Sequence, residues 1–190
     1  MIDPSIEIPE AIESPRLRIR ATRPGDGPTV YAAVMETLPL LRAWPASLPW
    51  SLPEPSVDAS EAFCRQGHEN WRRRRDFPML VFLKRDDEHV ANVGLHRPDW
   101  SVPSIEVGYW CRAAHQGHGF TTEAVQALCG FAFDVLGVRR VTCLADEAND
   151  ASRAVAARAG FALQAIRCRD TTGPDGVPLE TRFCVYVRER

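Results

Sequence analysis

Gln116-Gly117-His118-Gly119-Phe120-Thr121-Thr122-Glu123-Ala124 joins a strand-like run, Ser104-Ile105-Glu106-Val107-Gly108-Tyr109-Trp110, to a stretch of helical periodicity. In that stretch Ala124, Val125, Leu128, Phe131, Ala132, Val135 and Leu136 form one apolar stripe, and Gly137 ends it. Gly117 and Gly119 lack Cβ atoms, so the chain can bend sharply there and approach a bound group closely. The helix start behind them leaves N–H groups without intrahelical acceptors and carries the positive end of the helix dipole. Strand, glycine turn and helix in this order make a cradle for a phosphate or pyrophosphate. The common nucleotide motifs do not fit. Thr122 stands where a Rossmann turn has its third glycine, and no Gly-Lys-Ser/Thr follows as a P-loop requires. A Gly-x-Gly pair by itself is equally an ordinary strand-to-helix turn.

Working outward, Arg16-Leu17-Arg18-Ile19-Arg20 alternates as a half-buried strand, and Pro24-Gly25-Asp26-Gly27 breaks it before a short helix running to about Met35. Residues 39–55 hold five of the fifteen prolines together with Trp44 and Trp50, and read as a long ordered loop. Asp58 and Glu61 suggest a capping box for a helix to about Arg74. Strands are expected at Met79–Leu83, His89–His96, 104–111, Arg140–Leu144, Phe161–Arg169 and Glu180–Arg188. Asn149 or Asp150 should cap a helix over 151–159, which Gly160 ends, and Gly173-Pro174-Asp175-Gly176 should turn between the last two strands. The expectation is a single α/β domain over 1–190, with a mixed sheet of about seven strands and four helices.

Composition narrows the class. The chain has 190 residues, 45% of them hydrophobic and 25% charged, with a formal net charge of −2. It has no basic field for nucleic acid and no apolar run long enough to span a bilayer. Its N-terminus lacks the basic and apolar regions of a signal peptide, so a soluble, cytoplasmic protein is expected. The six cysteines, at 64, 111, 129, 143, 168 and 184, and the five histidines show no metal-ligand spacing. No metal is expected, and most of the thiols read as core residues.

From Ile105 to Phe161 the chain resembles the GNAT superfamily of acyl-CoA-dependent N-acyltransferases, and within it the RimJ/RimL-like branch of ribosomal-protein N-terminal acetyltransferases. Ile105-Glu106-Val107-Gly108-Tyr109-Trp110, the glycine turn with its helix, and Asn149-Asp150-Ala151-Ser152 running to Ala159-Gly160-Phe161 carry the likeness in the right order. Arg16-Leu17-Arg18-Ile19-Arg20, Leu41-Arg42-Ala43-Trp44 and Leu48-Pro49-Trp50 extend it over most of the chain. One departure is Ala114, where many members have Gln or Arg three residues before the first glycine.

The resemblance implies acetyl-CoA as donor and direct attack on its thioester by a primary amine, from a protein N-terminus or a small molecule. It assigns the pyrophosphate to the backbone of Gln116, Gly117, His118, Gly119, Phe120, Thr121 and Thr122. Val107, Gly108, Tyr109 and Trp110 would pair with the pantetheine arm and offer an N–H to the thioester oxygen. The slot would open where the strand at 105–110 splays from the strand at 140–144. Asn149 would touch the pantetheine amide or the thiolate region, and Ser152 would protonate the leaving thiolate; a helix cap and a surface serine are their plain alternatives. Glu106 is the first choice of base, against a structural carboxylate paired with an arginine. Trp44, Trp50 and Trp71 either wall the acceptor pocket or anchor the loop. Arg72-Arg73-Arg74-Arg75 reads first as a solvated helix end. A homodimer is plausible from the family, and a non-catalytic acyl-CoA sensor is the rival reading.

Overall fold

The computed structural model describes residues 7–172 and 178–190, so the turn expected at 173–176 lies outside the described residues. Its strands are β1 (Ala11–Glu13), β2 (Leu17–Ala21), β3 (Phe77–Leu83), β4 (His89–Asp99), β5 (Ser104–Cys111), β6 (Arg140–Asp146), β7 (Ala162–Thr172) and β8 (Pro178–Glu189). They form one sheet in the order β1-β2-β3-β4-β5-β6-β8-β7. Every neighbouring pair is antiparallel except β5 and β6. The helices are α1 (Gly27–Arg42), α2 (Val57–Arg72), α3 (Phe120–Asp134) and α4 (Asp150–Arg158). This is the expected mixed sheet with four helices, with one strand more: β1 is too short and too polar for a periodic signal.

β3 shows how the layers form. All seven of its residues are buried, which is why its sequence is a nearly continuous apolar run rather than an alternating one. Phe77, Met79, Val81 and Leu83 join the core beneath α3, with Val125, Leu128 and Ala132 of that helix. Leu80 and Phe82 face the other way, into a second cluster with Val30, Val34 and Leu41 of α1 and Cys64 of α2. Each such side chain contributes about 1.5–3 kcal/mol by leaving water. The thiols follow the expectation in part: Cys64, Cys129, Cys143 and Cys184 are buried, Cys111 is half-buried and Cys168 is exposed.

Three local expectations need correction. α1 does not stop near Met35 but continues through Pro39 to Arg42. Pro39 forfeits the bond it would donate to Met35, yet it faces solvent while buried Leu41 anchors the last turn. The loop therefore starts at Ala43. α2 is capped by Ser56, whose Oγ accepts from Ala59 N at 3.1 Å, and not by an Asp58–Glu61 box. Glu61 instead accepts from Gly25 N at 2.9 Å and Gly27 N at 3.0 Å, tying down the turn that precedes α1. Trp71 is a core residue, edge-on to Phe77 and stacked on Phe131, and so walls no pocket.

His89, at the start of β4, is buried, and its Nε2 lies 2.9 Å from Asn92 Oδ1. The amide oxygen accepts, so Nε2 carries the proton and Nδ1 is buried without a partner among the described residues. Burial pushes the imidazole down to about 4, the Asn92 contact opposes that shift, and the nearby Arg112 charge adds to it. The folded value lies below the ordinary 6.5, so the unfolded chain binds the proton more tightly. This contribution to stability is complete above pH 6.5 and is lost as the pH falls toward 4, at a cost of up to about 3 kcal/mol. His89→Gln should flatten the decline in melting temperature between pH 7 and pH 5 that the wild-type chain shows in thermal denaturation.

Candidate functional site

The one parallel pairing defines the site. β5 and β6 are in register from Ser104–Arg140 to Val107–Cys143, and there the ladder stops. Both strands go on, β5 to Cys111 and β6 to Asp146. Beyond the last pair β5 stays with β4, through Cys111 opposite Ala91, while β6 stays with β8, through Asp146 opposite Phe183. A slot thus opens between them, with Gly108 and Leu144 at its apex. The expected splay is present at the expected strands.

β5 leads through a short 3-10 turn (Ala113–His115) to the glycine turn at the start of α3. Gly117 (φ +79°) and Gly119 (φ +76°) both take the left-handed conformation, and a Cβ on Gly117 would meet nothing within 4 Å. The first bond of α3 runs from Glu123 N to Gly119 O, which leaves the amides of Phe120, Thr121 and Thr122 ahead of it without intrahelical acceptors. Thr122 Oγ1 is buried with no partner among the described residues. These are features of a site shaped for an anion. Arg16 fastens the turn: Nη1 donates to His118 O at 3.1 Å, Nε donates to Glu123 Oε2 at 2.6 Å, and the guanidinium covers the Phe120 ring at 4.6 Å. Glu123 is raised by burial, but hydrogen bonds from Ser14 and Arg16 outweigh this and hold it below its usual value. The carboxylate therefore cancels part of the Arg16 charge and leaves the amides to face an incoming ligand.

On the α3–α4 face of the slot, Tyr109 reaches across from β5 to α4. Its hydroxyl donates to Ser152 O at 2.9 Å and accepts from Ser152 Oγ at 3.2 Å and from Cys143 Sγ at 3.5 Å. That fills the one donor and two acceptor places of a phenol. Burial raises the Tyr109 hydroxyl and pushes the Cys143 thiol up to about 12, so both stay protonated at neutral pH. Asn149 caps α4, its Oδ1 accepting from Ser152 N at 3.0 Å. The cap therefore fixes the backbone of the residue that touches Tyr109.

The opposite face carries Glu106, Gly108 and Trp110 of β5 by strand alternation. Glu106 accepts from Arg97, with Nε at 3.2 Å, and this is the arginine pairing that competed with its role as a base. Trp50, 48% exposed, tilts against Trp110 at 6.0 Å. Its loop is tied down at both ends: Arg42 donates to the carbonyls of Ser51 and Leu52, and Ser47 donates to the buried carboxylate of Asp146 at the end of β6. Trp44 is half-buried at the start of the loop, its carbonyl accepting from Leu48 N at 2.8 Å. Beside Glu106 in register stands His96 of β4, whose Nδ1 lies 2.8 Å from Asp76 Oδ1.

The structure thus brings Glu106, Gly108, Trp110 and Trp50 to one face of the slot, and Tyr109, Asn149 and Ser152 to the other. The turn residues 116–122 lie beyond the end of β5. Val107 contributes backbone only, since its side chain is buried under α3. The Arg72–Arg75 run follows the solvated reading, with Arg73 paired to Glu69 at 2.7 Å on the surface. Ala114, the departure from the family pattern, is exposed and donates its N–H to Glu36 at 2.9 Å. Sequence reading missed Arg16, Ser47 and Asp146, and His96 with Asp76; each pairs with a residue that only the tertiary fold brings near.

Residues 16–162 match the acetyltransferase (GNAT) domain family. YdaF of Bacillus subtilis (strain 168), provisionally named a ribosomal N-acetyltransferase, is 37% identical over 85 residues, which cover 45% of this chain and 46% of YdaF. The ribosomal-protein-serine acetyltransferase of Escherichia coli (strain K12) is 30% identical over 93 residues, covering 48% of this chain and 51% of that one. The chain therefore spans about half the length of the curated relatives it matches. Among solved structures, the microcin C7 self-immunity acetyltransferase MccE in complex with acetyl-CoA and AMP superposes with a TM-score of 0.83 at 19% identity, over 99% of this chain and 100% of that one. RimL, a ribosomal L7/L12 α-N-protein acetyltransferase in complex with coenzyme A, superposes with a TM-score of 0.80 at 22% identity, over 96% and 97%. At these identities the two structures establish the shared fold.

Tyr109→Phe would leave Ser152 Oγ and Ser152 O without their shared partner. Stability should fall by about 1 kcal/mol, or roughly 2–4 °C in a thermal melt.

Proposed function

The chain belongs to the acetyltransferase (GNAT) domain family, and from that premise we propose that it transfers an acetyl group from acetyl-CoA to a primary amine in a ternary complex. One observation carries the reading: the parted edges of β5 and β6 lie next to an anion cradle at the head of α3. An extended ligand with amides along its length and a pyrophosphate at one end fits that pairing of features. Its amides can take up the backbone groups that the two strands withhold from each other, and its charge can sit on the free amides of α3.

Each step then falls to groups of this chain. The turn from Gln116 to Thr122, with Arg16 behind it, binds the pyrophosphate. The backbone of Gly108 to Trp110 aligns the pantetheine arm and donates to the thioester oxygen as negative charge develops there. Ser152, held by the Asn149 cap and hydrogen-bonded to Tyr109, delivers a proton to the departing thiolate. Trp50 and Trp110 flank the approach of the amine, where aromatic faces favour its cationic form. Glu106, committed to Arg97, acts by its charge and draws the ammonium to the slot. The curated relatives are named for ribosomal proteins, which makes a protein N-terminus the first acceptor class to assay and small primary amines the second.

Gly119→Glu should abolish acetyl-CoA binding in calorimetry, because it puts a side chain and a negative charge at a left-handed position in the cradle. Unchanged affinity would sink the cradle assignment. Glu106→Gln should raise the KM for the amine several-fold while leaving the acetyl-CoA Kd and the pH dependence of kcat as they are.

A further inference from the structure

His96 lies on a floor made for it. Gly94 of β4 and Gly108 of β5 are register partners, and the imidazole rests over both. A Cβ on Gly94 would lie 2.6 Å from the ring's Cε1 and Nε2, and one on Gly108 would lie 3.3 Å from Nε2. A side chain at Gly94 would displace the ring, and one at Gly108 would crowd it. Gly108 is also the first residue of β5 past the last β5–β6 pair, so Nε2 sits at the apex of the slot. The carboxylate of Asp76 accepts from Nδ1, which fixes the tautomer and leaves the Nε2 lone pair free to take a proton. The side chain is 30% exposed, enough for a ligand in the slot to reach it.

The backbone just after the ring is also specialised. From His96 to Asp99, β4 carries one residue more than β5 does from Glu106 to Ser104, which is a β-bulge. Its Arg97 holds a left-handed φ of +51°, a strained conformation for a residue with a Cβ. The kink turns Arg97 onto Glu106. The charged groups around the imidazole are therefore Asp76 behind it, Glu106 beside it in register, and Arg97, which is hydrogen-bonded to Glu106. Of these, the imidazole alone combines a fixed tautomer with an uncommitted acceptor atom at the apex.

We propose that His96, oriented by Asp76, is the group that removes the proton from the acceptor ammonium. This rests on the acyl-transfer reading. The ammonium N–H bond breaks as Nε2–H forms, and the freed amine attacks the thioester carbon. The C–S bond breaks and the thiolate takes its proton from Ser152, the attacking nitrogen gives up its second proton to restore the Ser152 hydroxyl, and His96 returns its own proton to solvent. Ammonium and acetyl-CoA go in; acetamide, CoA and one proton come out.

The test uses the full chain, acetyl-CoA, and a panel of peptides with free N-termini and small primary amines. His96→Gln should keep the acetyl-CoA Kd and the melting temperature of the wild-type chain while kcat falls about 100-fold or more. The acidic limb of the kcat profile should disappear with it. Asp76→Asn should lower kcat less and keep the limb, shifted to a different pH. Added imidazole should restore part of the rate to His96→Ala. CoA release by the wild-type chain that survives His96→Gln within about threefold, with the limb intact, overturns the proposal alone. Acetyl-CoA binding by the wild-type chain without CoA release over the whole panel overturns the acyl-transfer reading, and the proposal with it.

Discussion

The hydrogen-bond ladder between β5 and β6 runs for four residue pairs and ends at Val107 and Cys143, and the rest of the molecule is arranged around that ending. Interior backbone groups require partners, and a sheet ordinarily supplies them by continuing. Here each strand is held by its other neighbour, β5 by β4 and β6 by β8, so the two cannot close on each other without breaking longer antiparallel ladders. α4 starts four residues after β6 ends and α3 nine residues after β5 ends, so both helix N-termini lie at the mouth. The one parallel pairing in an otherwise antiparallel sheet is what places two helix starts on the same side of it.

The slot has two chemically different faces because β5 alternates. Its odd-numbered residues look toward α3 and α4, where Tyr109, Cys143 and Ser152 all keep their protons at neutral pH. Its even-numbered residues look toward the Trp50 loop, where Glu106, Arg97, Asp76 and His96 form a polar cluster. Proton donors thus stand on one face and acceptors on the other. A strand period of two separates them, with no insertion or extra element.

The sheet, its four helices and the glycine turn were legible because each is encoded locally. The apolar stripe of α3, the alternation of β2 and the paired glycines all lie within a few residues of one another. The errors lie where a distant contact decides. α1 runs through Pro39 because Leu41 finds a core, and Ser56 caps α2 while Glu61 is taken by the turn before α1. The partners of the site residues were illegible for the same reason. Asp76 and His96 meet only when β3 and β4 pair, and Arg16 meets Glu123 only when β2 comes to lie by α3. Glu106 shows the limit most clearly. Its place on the strand was readable, but its pairing with Arg97 depends on a bulge that no periodicity announces.

The loop between α1 and α2 is anchored by the Arg42 carbonyl contacts, by Ser47 on Asp146, by Trp50 on Trp110 and by Leu48 against the second core cluster. None of these involves the glycine turn, Tyr109 or α4. Insertions or deletions between the anchors would therefore remodel one wall of the slot directly and reach the opposite wall only through Asp146, whose carbonyl accepts from Asn149 N at 2.9 Å. On the proposed acyl-transfer reading, selectivity for the incoming amine is in this sense a detachable trait of the fold. It can drift under selection with little compensating change in the machinery that holds the other ligand, so long as the Ser47 anchor on Asp146 is kept.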